Sequence, residues 1–149
     1  MPLSLFKAMG ISEIRKRSNQ FVANLNIFIA QSIESNDDDI VQLNRDQMLA
    51  GKYKTGKKIK PKYSSRYAQR KGFSTPNLKL KGDFQRDMFL TVDENNDSII
   101  ITSDDEKTPH LVNRYTTDVF GIPKNKYKQA QGWTFAALAK LWNKYVLGA

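Results

Sequence analysis

Ile14, Phe21, Leu25 and Phe28 recur at helical spacing near the start of the chain, and Val22, Ile29 and Ile33 widen the stripe. The pattern predicts one long helix from Ile11 to about Glu34, with Ser12 as N-cap and Glu13 favourable in the first turn. The run Ser35-Asn36-Asp37-Asp38-Asp39 is expected to end it in a solvated turn, because short polar side chains compete for the backbone. Near the other end, Phe135, Leu138, Trp142 and Tyr145 lie along one side of a second helix, joined by Leu141 and Val146. That helix is expected over Thr134–Leu147, with Gly148 ending it. Between the two, the period changes from helical to alternating. Met88, Leu90 and Val92 share one face of a strand expected over Arg86–Val92, and Ile99 and Ile101 share a face of another over Ser98–Ser103. Asp93-Glu94-Asn95-Asn96-Asp97 has the composition of the hairpin turn between them.

The remaining stretches are weaker. Asp39–Ala50 has no clear period, and only Arg45–Ala50 suggests a short helix, stopped by Gly51. Gly51, Gly56, Pro61, Gly72 and Pro76 then punctuate the chain, leaving room for one short helix near Ser64–Lys71. Pro109–Tyr115 suggests another, and Thr116–Gln131 is turn-rich, with Gly121 and Pro123. Together these give an α+β fold. A hairpin at about 86–103 is bracketed by a long N-terminal and a C-terminal helix, with loops or arms at 51–82, some of them ordered only in an assembly. At 149 residues the chain suits one domain, 1–149.

Charge changes the picture of the middle third. Eleven Lys/Arg and no Asp or Glu fall between Gly51 and Gly82, so a chain of net charge +9 sums to −2 outside that window. Concentrated positive charge repels itself unless something negative sits opposite. Phosphate, an acidic membrane and an acidic neighbouring subunit are the candidates, against the plainer reading of a solvated surface kept soluble by charge. Lys57, Lys58, Lys60, Lys62, Arg66, Arg70 and Lys71 are the candidate contact residues for nucleic acid or for a subunit. Tyr53, Tyr63, Tyr67 and Phe73 are interleaved with them, and aromatic faces beside cations are the ingredients of single-strand binding. No named DNA- or RNA-reading motif is present, so such contact is expected to be to phosphate, salt-dependent and without sequence preference.

Other chemistry is not offered. The chain has no Cys, which excludes disulfides, thiolate metal sites and Cys nucleophiles and fits a reducing compartment. No stretch approaches the roughly 18 apolar residues of a membrane span. Met1–Gly10 lacks the apolar region of a signal peptide, so a cytoplasmic site of synthesis and assembly is expected. Gly51–Lys58 approximates a phosphate-binding loop, but Lys58 stands where a hydroxyl must bind magnesium, and Pro61 spoils the following helix. Asp93, Asn95, Asp97 and Asp104 fall at calcium-loop positions, yet Ser98 replaces the turn glycine and Ile99-Ile100-Ile101 reads as a strand. His110, the sole histidine, is expected to cap or pack, and Trp133 and Trp142 to serve the core or a subunit contact. No catalytic constellation and no cofactor or metal site is expected.

One long stretch resembles a family. It comprises Leu43–Gly51, Lys54-Thr55-Gly56, Tyr63–Lys71 and Leu78-Lys79-Leu80-Lys81-Gly82-Asp83-Phe84. After the hairpin come Leu111–Tyr115, Phe120-Gly121-Ile122-Pro123 and the C-terminal helix. In order and spacing, from about Asn44 to Leu147, this resembles the virion-morphogenesis, tail-completion and minor tail proteins of tailed bacteriophages, as in Bacteroidetes phages. Lys81 departs from the pattern, which has a hydroxyl residue before Gly82. The resemblance implies a non-enzymatic structural subunit at the head–tail junction of the virion, assembled in the host cytoplasm. It implies a homo-oligomeric ring that meets portal, neck and tail proteins. A basic inner face would suit passing DNA. The alternative is a monomeric nucleic-acid-binding protein without sequence preference.

Overall fold

The computed structural model describes residues 9–79, 81–95 and 97–149. Leu80 of the Leu78–Gly82 step, Asn96 of the hairpin turn and Met1–Ala8 of the leader reading lie outside the described residues. Among the described residues the fold is α+β: seven α-helices and one two-stranded antiparallel sheet.

The expected first helix is two. α1 spans Ile11–Ala23 and α2 spans Leu25–Glu34, broken at Asn24. Asn24 sits at φ −113°, ψ 21°, and its Nδ2 donates to the Gln20 carbonyl at 2.8 Å. A side chain that bonds the backbone one turn back competes with helix continuation. Gly10 occupies the N-cap position instead of Ser12, with no side-chain cap bond. α3 is longer than expected, Asp37–Leu49. Asp37, Asp38 and Asp39 form its first turn, where carboxylates favourably meet the unsatisfied N–H groups, so the turn proper is confined to Ser35-Asn36.

α4 (Ser65–Lys71) is capped by the Ser64 hydroxyl, which accepts from the Tyr67 N–H, and ends at Gly72 in the left-handed region. A short α5 (Asp83–Arg86) takes the start of the expected first strand. β1 (Met88–Asp93) therefore begins two residues later and pairs with β2 (Ser98–Ser103), Leu90 opposite Ile101 and Val92 opposite Ile99. Met88 and Ile101 are buried and Leu90 and Ile99 partly so, which gives the sheet one core face. α6 spans Thr108–Tyr115, and α7 spans Tyr127–Trp142, starting a full two turns earlier than expected and running through Gly132. A π-helical turn, Asn143–Leu147, closes the chain and buries Val146.

Two clusters hold these pieces. α3 supplies the first with Ile40, Val41, Leu43 and Met48, packed with Ile59, Leu78, Phe84, Met88, Ile101, Tyr115, Val119, Phe120 and Ala130. In the second, Phe21 of α1 stacks on Phe28 of α2 at 4.2 Å and meets Trp142 of α7 edge-on at 5.2 Å. Tyr145 joins Phe28 at 5.1 Å, so three helices share one aromatic seam. Trp133 is partly buried against the first cluster.

The 51–82 segment is not a free arm. Ile59 is fully buried in the first cluster, as is Leu78, and Pro76 is buried beside them. Its backbone is tied down as well: the Lys54 N–H donates to the Asp118 carbonyl at 3.0 Å and the Ile59 N–H to the Gly51 carbonyl at 2.9 Å. Burying a side chain the size of Ile contributes about 1.5–3 kcal/mol. Two exposed like charges about 4 Å apart in water repel by only about 1 kcal/mol. A few apolar anchors thus hold a strongly basic segment on the body.

Candidate functional site

The seven candidate cations fall into two groups by element. Lys57, Lys58, Lys60 and Lys62 are exposed on the loop around the isolated bridge between Lys52 and Lys58. Tyr53 braces that loop. Its hydroxyl donates to the Lys60 carbonyl at 2.9 Å and accepts from the Lys60 N–H at 3.2 Å. Arg66, Arg70 and Lys71 sit on α4, the first two exposed and Lys71 half-buried. Among the described residues, Lys54 is the one base of the 51–82 window with a carboxylate in reach, Asp118 at 3.6 Å, and that pair is exposed and worth little.

α4 brings cations and aromatic rings together. Tyr63 and Tyr67 meet edge-on at 4.8 Å, and Phe73 lies 6.2 Å from Tyr63. The Arg70 guanidinium lies 5.4 Å from the Tyr67 ring centre, and Lys71 Nζ lies 5.9 Å from both Tyr67 and Phe73. Lys71 also donates to the Lys79 carbonyl, fastening the end of α4 to the return strand of the loop. Burial pushes the Tyr63 phenol above its ordinary value, opposed by hydrogen bonding to the Asn77 backbone. Tyr63 is therefore a neutral hydroxyl, not a phenolate, at neutral pH.

The fold adds bases that the sequence window omits. A cleft of about 470 Å³ opens between α4, the 78–85 segment and α6. Arg70, Lys79 and Lys81 of the window line it, and so do Lys107 and Arg114, from the start and end of α6. Its one carboxylate, Asp83, is 3.0 Å from Arg86. Asp87 and then Asp83 hold the Arg86 guanidinium above its ordinary value. A second cleft, about 580 Å³, is lined by Lys52, Lys54, Lys124 and Lys126, with Asp46 the acid in its wall. Of the seven candidates, Arg70 alone lines either cleft. Lys107, Arg114, Lys124 and Lys126 lie 25 or more residues beyond Gly82 in sequence, and only the fold places them here.

Each cleft carries one unsatisfied polar atom. Gln85 Oε1 in the wall of the first and Gln47 Oε1 in the wall of the second are buried without a hydrogen-bond donor. Such acceptors are uncommon in folded proteins.

The excluded motifs take other forms. The Gly51–Lys58 stretch follows a helix, α3, rather than a strand. Asp93–Asp104 is the hairpin turn and β2. His110, expected to cap or pack, is exposed on α6. Among the described residues no three His, Cys, Asp or Glu side chains are grouped so as to hold a metal ion. No helix there is long and apolar enough to cross a membrane.

Large apolar side chains are exposed on other elements as well, and Lys54 of the basic segment lines the groove that Phe135 borders. Ile11, Val22 and Ile27 on α1 and α2 and Phe135 on α7 are exposed, Ile11 by 79% and Phe135 by 67%. Phe135 borders a groove of about 500 Å³ formed with Ile33, Ile99, Ile122 and Ala130. No protein-family model, curated protein or solved structure matches the chain.

Proposed function

We propose that this chain is a non-enzymatic structural subunit of a tailed-bacteriophage virion, forming a homo-oligomeric ring at the head–tail junction. Its basic face meets DNA phosphates or acidic patches of adjacent ring proteins. The observation that carries the reading is the presence of two kinds of unsatisfied surface, basic and apolar, on one small body. Cations, all but Lys54 without a carboxylate partner among the described residues, occupy the 51–82 segment, and large apolar side chains stand exposed on α1, α2 and α7. Exposed large apolar groups in a chain this charged suit contact with other copies, and heterologous contacts that close give rings. The resemblance of Asn44–Leu147, in order and spacing, to tail-completion proteins is what points the reading toward a virion. Electron microscopy of the purified protein, with and without portal and tail proteins, tests the proposal. Closed rings are expected; a chain that stays monomeric at every concentration and never joins particles overturns it.

A second reading has its own support. The Tyr63–Tyr67–Phe73 cluster carries Arg70 and Lys71 over its rings, as a binder of single strands requires. A monomer that binds DNA at micromolar affinity in physiological salt favours this reading. Absence of binding even at low salt removes it.

A further inference from the structure

The cleft between α4, the 78–85 segment and α6 is more specific than the basic segment around it. About 470 Å³ lies within the roughly 300–1,000 Å³ of small-ligand clefts. Tyr63, Tyr67, Phe84 and Tyr115 give it aromatic walls, and five cations line it against one acid already drawn to Arg86. Apolar aromatic depth under positive charge calls for a ligand with a flat ring at one end and a phosphate at the other. Tyr67 already holds a flat cation, the Arg70 guanidinium, at 5.4 Å, and a ring face that takes guanidinium also takes a base.

We propose that this cleft binds a nucleotide, free or as one unit of a single strand. The base lies against Tyr63 and Tyr67, and the phosphate meets Arg70, Lys107 and Arg114. The site needs no ring: every lining residue belongs to one chain. It also differs from general attraction to the basic segment, because Lys107 and Arg114 lie outside that segment.

The full chain is titrated with a labelled short oligo(dA), and AMP is added as competitor. Tyr67→Leu should weaken binding by about five- to a hundredfold, the loss that follows removal of one base–aromatic stack. The Lys107→Gln/Arg114→Gln pair should lower the salt slope by about 0.7, one single-strand phosphate contact, and a control Lys16→Gln/Lys128→Gln pair on other exposed helix positions should leave it unchanged. Displacement of the oligonucleotide by AMP shows that a free nucleotide enters. If AMP fails while both cleft variants still weaken binding, the ligand is the strand itself. A Lys107→Gln/Arg114→Gln protein that matches the control, or a parent that binds neither probe, overturns the proposal.

Discussion

Asn44 is a polar side chain at the centre of the core, and its removal should be costly. It is fully buried on α3. Its Nδ2 donates to the Val119 carbonyl at 2.8 Å, and its Oδ1 accepts from the Gly121 N–H at 3.0 Å. The amide thereby clamps the Val119–Gly121 corner to α3. In Asn44→Ala the Val119 carbonyl keeps a second donor, Gln47 Nε2 at 3.2 Å, but the Gly121 N–H loses its acceptor. Stranding this part-buried donor costs no more than stranding a fully buried one, about 1–3 kcal/mol. The void adds about 1 kcal/mol, so the total is at most about 2–4 kcal/mol. Urea denaturation followed by circular dichroism measures it. With a slope of about 2 kcal/mol per molar, the midpoint should fall by at most about 1–2 M at constant slope. Gln47→Ala serves as comparison. It leaves both Asn44 bonds in place and removes an oxygen that has no donor, so it should cost no more than about 1 kcal/mol beyond its lost packing. Asn44→Asp keeps an acceptor for Gly121 but sets a buried carboxylate against the Val119 carbonyl. Its folded pKa is then raised, so its destabilisation is fully present above that folded value and is relieved progressively as pH falls from it toward the ordinary carboxylate value. An Asn44→Ala protein that unfolds with the parent, or a Gln47→Ala protein that loses more than Asn44→Ala, refutes the clamp.

Three further outcomes are expected. Gly51 has φ +68°, and a Cβ there would stand 2.7 Å from Thr75 Cγ2, whereas Gly56 at φ +85° faces open space. Gly51→Ala should cost about 2–3 kcal/mol and Gly56→Ala only the backbone strain of about 1–2 kcal/mol, so thermal melts should fall further for the first by several degrees; equal melts contradict the packing of Thr75 on Gly51. Tyr63 should ionise above the exposed tyrosines in an ultraviolet titration. Because its folded value is raised, its contribution to stability is complete below about pH 10, the ordinary phenol value, and is lost as pH rises through the folded one. Tyr63→Phe should flatten that alkaline loss; an unchanged profile refutes the assignment. Replacing Lys57, Lys58, Lys60 and Lys62 by Gln should leave melting within about 0.5 kcal/mol per site, since all four are exposed. On a single strand it should lower the salt slope by about 0.7 for each lysine that meets a phosphate. A slope that does not move removes this loop from the contact surface.

The elements legible in the sequence are those whose faces are chemically uniform. β2 is all Ile and Thr between serines, and it lies where alternation put it, Ser98–Ser103. α4, bounded by Ser64 and Gly72, was readable from its caps alone. α3 was not, because its buried face mixes Ile40, Leu43 and Met48 with Asn44 and Gln47. Those two amides read as surface until the Val119 carbonyl is seen to need them. The break at Asn24 was equally hidden, since the apolar stripe continues past it and only the side-chain bond to Gln20 interrupts the helix. For the site, net charge located Arg70, Lys79 and Lys81. Lys107 and Arg114 carry no local mark, because α6 approaches α4 only through the tertiary packing around Tyr115.

Ile59 gives the basic segment a property its composition conceals. A lysine-rich stretch with six Gly and Pro breaks would ordinarily be a floppy polyelectrolyte. With Ile59, Pro76 and Leu78 sunk in the interior, the charges are spaced like pegs on a board before any polyanion arrives. If the proposed polyanion docks here, no coupled folding is required, and the heat-capacity change in calorimetry should be small, the mark of a preformed template.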